Sequence, residues 1–398
     1  MNIELMYEVL DEEKDKGRGY YQRTADRLGI TEGSLRGHLN RNTRPSPQVA
    51  EHAREIAVER AKASKYKKKL DALLREQITF GEILDTIESK VRPYPTNRRC
   101  LDVDRVSGAG HPQDLALLLS DLHAAKVVPG DLTNGLNEFN LDILACRSWY
   151  LLEKVIAWIR AEKSQNDIKK IGIFVLGDLV NGDIHDRDGG RNECDMTHAA
   201  IWVGELLSQM IEIISREIPV EVITVPGNHG RCNIPKLVSS RPTDSWDWLA
   251  CELARARFVG STRVLWEGNE AWSNVMELQG YKFFASHGHE LKTTLGLPWP
   301  AANRKFAERQ AAELRRTGEQ IHGMVFGHFH RVGSQRDVFI SNGCMTGADS
   351  FGDLMGMSPV EPIQAGFKVD RERCIDNTYW FNLTDAPDSH GFSLPEIG

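Results

Sequence analysis

Short apolar runs alternate with longer stretches of helical periodicity through most of this chain. Five short runs, most of them rich in branched or aromatic residues, predict buried β-strands at Leu115–Leu119, Ile171–Leu176, Val220–Val225, Tyr281–Ala285 and Met324–Phe326. Between them, apolar residues spaced three and four apart predict helices at Cys146–Glu162, His198–Glu217 and Ser245–Arg257. Strands that alternate with helices predict an α/β fold in which β-sheets are flanked by helices.

The front of the chain has a purely helical pattern. A predicted helix stops at Gly29, which suits a tight turn, and Thr31 can cap a second helix that places Leu35 and Leu39 on one face. A longer helical stretch then ends near residue 95, where two prolines stop it. The sequence therefore predicts four parts: a small all-α module at 1–50, a basic helical linker at 51–95, an α/β domain at 105–375 and a polar tail at 376–398.

Charge is unevenly divided along the 398 residues. The whole chain has a net charge of −7, but residues 1–100 carry +4 and the remainder carries −11. A basic front end suggests an anionic partner for it. The N-terminus lacks a signal-peptide pattern, no apolar run is long enough for a membrane span, and seven scattered Cys suit a reducing compartment. We therefore expect a cytoplasmic protein with no membrane partner; a homo-oligomer is compatible with the sequence.

Residues that bind metals follow each of the five predicted strands. They are Asp121 and His123, Asp178, Asn228, His287, and His328 with His330. Ligands bind beyond the carboxyl ends of strands in open α/β sheets, so these side chains are expected to converge on one crevice. If the strand ends stay extended, the single residue within each D-x-H or H-x-H pair lets both side chains point the same way. Imidazole and carboxylate together suit manganese, iron, zinc or nickel.

The order of these motifs resembles the calcineurin-like metallophosphoesterase family. The series D-x-H, G-D, G-N-H, H and G-H-x-H extends over about 210 residues of this chain. The resemblance implies the layered metallophosphoesterase fold and a phosphoester-hydrolysing site with two divalent ions, for which Mn²⁺ is the first choice and Fe, Zn, Ni and Mg are alternatives. In this family a water between the metals attacks phosphorus as hydroxide.

The resemblance also assigns the ligands to two metal positions. Asp121, His123 and His330 would hold the first ion, and Asn228, His287 and His328 the second. Asp178 would bridge both, and a shared carboxylate lowers the repulsion between two dications.

Three further residues around this motif series are candidates for roles in the site. The resemblance places His229 beside the leaving group, as a general acid or a stabiliser of charge. The family pattern continues with an acidic residue that orients this histidine, whereas Gly230 stands here, so His229 needs another carboxylate or acts without one. Arg231 is suited to gripping a substrate phosphate or to a surface ion pair. His289 either supports a metal ligand from behind or is a plain hydrogen-bonded histidine.

The helical front resembles a helix-turn-helix that reads the major groove of DNA. Its second helix leaves Ser34, Arg36, His38 and Arg41 away from the apolar face, and Lys65, Lys68 and Lys69 share a face of the following helical stretch. A helical bundle for protein contact and a solvated linker are the alternatives for these two segments.

The function predicted from the sequence is a two-metal phosphodiesterase, most simply a nuclease acting on DNA or RNA, in a bacterial or phage-infected cell. A phosphomonoesterase or a small-nucleotide phosphodiesterase is the first alternative. A DNA-binding regulator with an inactive phosphoesterase domain is the second, although an idle site has no need of seven ligands.

Overall fold

The computed structural model describes residues 3–41, 112–182, 192–232, 241–266, 270–293, 296–349 and 358–396. They belong to two units that divide between Glu88 and Ser89. The predicted linker at 51–95 and its lysines, Lys65, Lys68 and Lys69, lie outside the described residues.

Residues 3–41 of the N-terminal unit form three helices, α1 (Ile3–Lys14), α2 (Tyr20–Arg27) and α3 (Glu32–Arg41). Gly29, with φ of +66°, follows α2, and the Ser34 amide donates to Thr31 Oγ1 at 3.2 Å. Leu35 is fully buried against Met6 and Ala25, and Leu39 packs on the same cluster. The expected turn, cap and apolar face of the second helix are therefore present, and α1 completes the core beneath them.

The second unit is built on two sheets. The first has the strand order β11-β10-β1-β2-β3-β4 and the second β5-β6-β7-β9-β8. Their bounds are β1 Pro112–Leu119, β2 Asp167–Val175, β3 Val220–Thr224, β4 Val264–Trp266, β5 Ser273–Leu278, β6 Tyr281–Ser286, β7 Gly323–Phe326, β8 Gly333–Gln335, β9 Phe339–Ser341, β10 Ile363–Asp370 and β11 Asn377–Asn382. The strands β1 to β4 run parallel, as do β6, β7 and β9, so their carboxyl ends share an edge within each sheet.

One apolar core joins the two sheets. Ala116 and Phe174 from the first sheet lie in the same buried cluster as Phe283 and Val325 from the second. The helices are α4 (Leu141–Gln165), α5 (Met196–Glu217), α6 (Trp246–Ala256) and α7 (Trp299–Thr317). The first two contact β2 and β3, and α7 buries Ala301 and Ala302 against the second sheet. The layered α/β fold, with sheets flanked by helices, is thus confirmed.

The structure contains elements that the sequence pattern does not predict. All five predicted strands and three predicted helices are present. Of the other described strands, β4, β8 and β9 have three residues each, and β5 and β11 are largely exposed or half-buried. The strand β10 is long and mostly buried, but glycine and polar residues interrupt its apolar positions. The helix α7 is missed because it buries little beyond Ala301 and Ala302. The polar tail expected from residue 376 instead contains β11, which pairs with β10 along six residues and so belongs to the first sheet.

None of the helices in the described part of the chain combines the length and the apolar character that a membrane span requires.

Candidate metal centre

The loops after β1, β2, β6 and β7 bring six of the seven predicted ligands into two groups. Asp121, His123 and His330 form one, and Asp178, His287 and His328 form the other; within each group the ligand atoms lie within 4.8 Å of one another. Asn228 joins the second group, because its Oδ1 lies 3.1 Å from His287 Nε2. The expected convergence of strand ends on one crevice is therefore what the structure shows.

The first group presents nitrogen and oxygen atoms to a common point. His123 Nε2 lies 3.1 Å from His330 Nε2, and His330 Nε2 lies 3.3 Å from Asp121 Oδ1. Asp121 is fully buried, yet its Oδ1 accepts no hydrogen bond from any described residue. An unpartnered buried carboxylate oxygen is costly, and a divalent cation between it and the two imidazoles would satisfy it.

The second group is arranged around the imidazole of His287. Its Nδ1 donates to the carbonyl oxygen of Leu176 at 2.7 Å, so Nε2 remains for a metal. That Nε2 lies 3.0 Å from Asp178 Oδ2 and 3.1 Å from Asn228 Oδ1. One imidazole nitrogen facing two oxygens is a donor set suited to a transition metal ion.

Charges within the centre shift the pKa values of its histidines in opposite directions. Burial lowers the pKa of His287, but the charge of Asp178 and their hydrogen bond outweigh it and raise the pKa to about 9. Burial, with the neighbouring His287 cation, lowers the pKa of His328 to about 4. A metal ion that binds His287 Nε2 would therefore have to displace a proton from it. His328 is neutral at pH 7 and needs to lose no proton.

Five ligands have a backbone conformation that residues other than glycine seldom adopt. The φ angles of Asp121, His123, Asp178, His328 and His330 lie between +47° and +70°. Each such residue costs on the order of 1–3 kcal/mol, and such strain clusters at functional sites. The strand ends are therefore not extended, contrary to the geometry assumed for D-x-H and H-x-H. The side chains of each pair converge because the chain turns at both residues.

A buried polar network lies behind Asp121. The Ser120 hydroxyl donates to Asp121 Oδ2 at 2.5 Å, and the amide of His328 donates to the same oxygen at 3.0 Å. Asn342 Nδ2 donates to Ser120 Oγ and to Gln364 Oε1, each at 2.9 Å. These contacts occupy Oδ2 and leave Oδ1 for an ion. Asn342 and Gln364 belong to distant parts of the sequence, and no local motif identifies them.

His330 has a second partner in Cys344, which sequence reasoning did not select. The Cys344 thiol is fully buried and hydrogen-bonds with the His330 side chain. Burial lowers the pKa of His330, but Cys344 and Asp121 outweigh it and hold the pKa well above its usual value. Cys344 is therefore a second side-chain partner of His330 besides Asp121.

His229 lies beside both groups. Its amide donates to Asp178 Oδ1 at 2.8 Å, and its ring meets that of His123 edge-on, with the ring centroids 4.7 Å apart. Its Nδ1 lies 2.8 Å from the carbonyl oxygen of Asn181, which can only accept, so Nδ1 carries the proton. A backbone carbonyl, rather than a carboxylate, therefore orients this histidine. The chain enters a turn at His229.

Arg231 and His289 lie on the side of the second group. The Arg231 guanidinium is 5.8 Å from the centre of the Trp272 ring, and its Nε is buried without a hydrogen-bond partner among the described residues. His289 packs against the rings of His287 and His328 at centroid distances of 5.6 and 6.3 Å. Burial and the charge of His287 lower its pKa to about 4, so His289 is a neutral neighbour of the metal ligands.

The candidate DNA-binding residues of α3 differ in their surroundings. Ser34 and Arg36 are exposed, but Arg36 Nε donates to Glu32 at 2.8 Å and the guanidinium lies 4.2 Å from the Tyr21 ring centre. His38 is half-buried, and Arg41 ends α3. Arg36 therefore has partners within its own unit and would have to leave Glu32 to contact a phosphate.

Comparison with known proteins gives one family match and several similar solved structures. A family model described as calcineurin-like phosphoesterase matches residues 116–332. No curated protein matches the chain. Solved structures with a similar fold include wild-type Vps29 from Entamoeba histolytica in complex with Zn²⁺, with 12% identity over 68% of this chain and 99% of that one and a TM-score of 0.29. Another is a predicted phosphoesterase from Streptococcus pneumoniae, with 12% identity over 68% and 98% and a TM-score of 0.26. A third is Vps29 from Cryptosporidium parvum, with 15% identity over 68% and 98% and a TM-score of 0.29.

The two facing sheets, with two groups of metal-binding side chains at their strand ends, define a dinuclear metallohydrolase. The match extends over more than half of the chain, so this chain belongs to the calcineurin-like phosphoesterase family. Metal-dependent hydrolysis of phosphoesters is the activity that this membership supports.

Proposed function

We propose that this protein is a two-metal phosphodiesterase that cleaves nucleic acid, with DNA as the first candidate and Mn²⁺ as the first candidate metal. The observation that carries the proposal is the joining, in one chain, of a complete donor set with a separate helical unit whose α2, turn and α3 are arranged in sequence like a helix-turn-helix. A unit of that kind suits a polymer better than a free nucleotide.

The donor set supports binding of two ions. Asp121, His123 and His330 would hold one, and Asn228, His287 and His328 the other, with Asp178 shared between them. Bound divalent ions supply an activated water and neutralise charge on the phosphoryl oxygens. Asp178 is suited to sharing because its Oδ2 faces His287 while its Oδ1 accepts from the amide of His229, next to His123.

His229 and Arg231 have separate roles in the proposed reaction. Hydrolysis of a phosphodiester adds water, breaks one P–O bond and leaves an alcohol that needs a proton. His229 Nδ1 donates to the Asn181 carbonyl oxygen, so the imidazolium form of His229 would give a proton from Nε2 to the leaving oxygen and become the neutral Nδ1–H tautomer. Arg231 would bind a phosphate oxygen, since its Nε is buried without a partner among the described residues.

The backbone conformation of the candidate ligands disfavours the alternative of an inactive phosphoesterase domain. Holding five non-glycine ligands in left-handed conformations costs stability, and a domain that no longer bound metal would have no reason to retain them. A phosphomonoesterase or small-nucleotide phosphodiesterase remains the competing outcome of the assay below.

The test is a side-by-side assay of single- and double-stranded DNA, RNA, a chromogenic phosphodiester and a chromogenic phosphomonoester, with Mn²⁺ and then with Fe, Zn, Ni and Mg. Cleavage of a polymer at a higher rate than either small ester supports the proposal. The Asp178→Asn protein is the control: it should lose both ions by elemental analysis and all hydrolysis. Hydrolysis confined to the two small chromogenic esters would reject the nuclease assignment.

A further inference from the structure

The carboxylate of Asp247 accepts hydrogen bonds from two of the loops that carry metal ligands. Its Oδ2 accepts from the amides of Asp178 at 2.8 Å and Gly227 at 2.9 Å. Its Oδ1 accepts from the amides of Leu179 at 2.9 Å and Val180 at 3.2 Å. The four donors are the amides of Asp178, of the two residues that follow it and of the residue before Asn228, and Asp247 itself is 1% exposed.

The start of α6 is held in place by main-chain bonds to the turn that contains His229. The amide of Trp246 donates to the carbonyl oxygen of Gly230 at 2.7 Å, and the amide of Cys232 donates to that of Asp244 at 3.2 Å. Ser245 caps α6 by accepting from the Asp247 amide at 3.2 Å. These contacts direct the Asp247 side chain into the space between the loops after β2 and β3.

Asp247 also explains why residue 230 is glycine. A Cβ placed on Gly230 would lie 2.6 Å from Asp247 Cγ and 2.6 Å from its Oδ1, closer than atoms without a bond approach. The space that a side chain at residue 230 would enter is therefore filled by a carboxylate from α6. The Asp247 carboxylate therefore lies next to the place where an acidic side chain following the G-N-H motif would begin.

The loop after β1 depends on the same arrangement. The amide of His123 donates to the carbonyl oxygen of Asp178 at 3.0 Å, and that of Ala124 to Leu179 at 2.9 Å. A shift of residues 178–180 would thus move His123 as well as Asp178. Among the described residues, the hydrogen bonds that the Asp247 carboxylate accepts in these loops come from backbone amides, and these four bonds set where the ligand-bearing backbone lies.

We propose that Asp247 is the positioning residue of the metal centre, whose carboxylate holds the Asp178 and Asn228 loops together from the space that a side chain at residue 230 would enter. This inference rests on the proposed function only in experiments that measure hydrolysis. Metal affinity and backbone protection report on it without a substrate.

The first test is the Asp247→Asn variant. An amide can accept with only one of its two groups, so two of the four backbone donors lose their acceptor. Amide hydrogen exchange in the metal-free protein should become faster in residues 178–180 and 227. Affinity for Mn²⁺ should fall by about 10–100-fold, as for other groups that orient metal ligands from behind. The control is Asp195→Ala, which removes an acid that caps α5 and touches none of these loops; it should leave both readouts unchanged.

The second test moves the carboxylate. In a glutamate the carboxyl carbon lies two bonds from Cβ, roughly 2.5 Å away, which matches the 2.6 Å between the Cβ position of Gly230 and Asp247 Cγ. The double variant Gly230→Glu with Asp247→Ala should therefore regain part of the protection and Mn²⁺ affinity that Asp247→Ala loses. Asp247→Ala also covers the case in which Asp247→Asn fails to fold.

The outcomes separate this inference from the proposed function. Wild-type exchange and Mn²⁺ affinity in folded Asp247→Asn or Asp247→Ala protein would overturn the positioning role, as would a folded double variant that regains neither. If the wild-type protein cleaves the small esters but no polymer, the proposed substrate is wrong. The role of Asp247 in positioning the metal ligands is not affected by that result.

Discussion

At the scale of single residues, the metal centre depends on side chains whose second hydrogen-bonding atom is already committed. Asp121 Oδ2 accepts a hydrogen bond from the Ser120 hydroxyl. The Nδ1 atoms of His287 and His229 donate to the carbonyl oxygens of Leu176 and Asn181, respectively. In each case the other atom is the one placed for metal or substrate. Orientation from behind fixes both the rotamer and the tautomer before any ion binds.

The role of His229 gives a prediction at this scale. His229→Ala should keep both ions, because its ring is not in either ligand group, and should lower kcat by about 10²–10⁴ if the residue is a general acid. A neutral carbonyl stabilises the imidazolium less than a carboxylate does, so we expect the lower end. The loss should shrink for a nitrophenolate leaving group, which hardly needs a proton.

His198→Ala is the matched control for that variant, since His198 is exposed and pairs with Asp195 on α5. It should not change kcat. A loss in His229→Ala that is equal for good and poor leaving groups would indicate charge stabilisation of the phosphoryl oxygens instead of proton transfer. Loss of metal in this variant would contradict the assigned role altogether.

At the scale of elements, the N-terminal unit is held by a buried acid as well as by its apolar core. Glu13 on α1 has a side chain only 4% exposed and pairs with Lys16 at 2.7 Å and with Arg23 and Arg27 on α2 at 2.9 Å each. Hydrogen bonds from Lys16, Arg23 and Arg27 lower the pKa of Glu13 to about 2. The carboxylate thus ties α1 to α2 beside the cluster formed by Met6, Ala25 and Leu35.

The depressed pKa predicts how this tie depends on pH. An acid whose pKa is lower in the folded protein stabilises the fold fully above its ordinary pKa, and the contribution is lost as pH falls toward the folded value. Amide exchange in residues 3–41 should be faster in Glu13→Gln than in the wild type above about pH 4.5, the ordinary value, and the difference should vanish near pH 2.

Glu12→Gln is the control for this comparison. Glu12 is 62% exposed and pairs with Arg27 alone, so its removal should have little effect at any pH. Equal effects of the two substitutions, or a Glu13→Gln difference that persists at pH 2, would contradict the clamp between α1 and α2.

At the scale of the whole molecule, the described residues divide the proposed tasks between two units. Every metal ligand lies in the unit that begins at Ser89, and α2 and α3 lie in the other. A shortened protein that begins at Arg105 should therefore still hydrolyse a chromogenic phosphodiester. It should bind duplex DNA more weakly and with a shallower dependence on salt, because fewer phosphate contacts release fewer counterions.

A point variant tests the same division without deletion. Ser34→Glu adds one negative charge on exposed α3 and should weaken DNA binding, whereas Lys14→Gln makes the same change in charge on α1 and should do so less. Neither should alter hydrolysis of the small ester. Unchanged DNA binding after both Ser34→Glu and the truncation would favour a protein-contact role for the N-terminal unit.

Much of this molecule follows from local patterns in the sequence. Runs such as Leu115–Leu119 and Val220–Val225 predict strands because a buried parallel strand is apolar on both faces, and β1 and β3 form there. The ligands are recognisable because Asp121, Asp178 and His287 each follow such a run directly. Their order along the chain resembles the family's motif series. Their place after strands that run parallel predicts that they meet, because the carboxyl ends of parallel strands share one edge.

The rest depends on contacts between residues far apart in the chain, to which no local pattern is sensitive. Asp247 lies 69 residues from Asp178, and Gln364 lies 244 residues from Ser120. The left-handed turns at Asp121 and His330 are unfavourable locally and persist because the packed sheets and buried hydrogen bonds hold them. Residue types and spacing therefore determine which atoms can bind metal, whereas long-range packing determines where those atoms point, since orientation is a property of neighbours that the fold alone assembles.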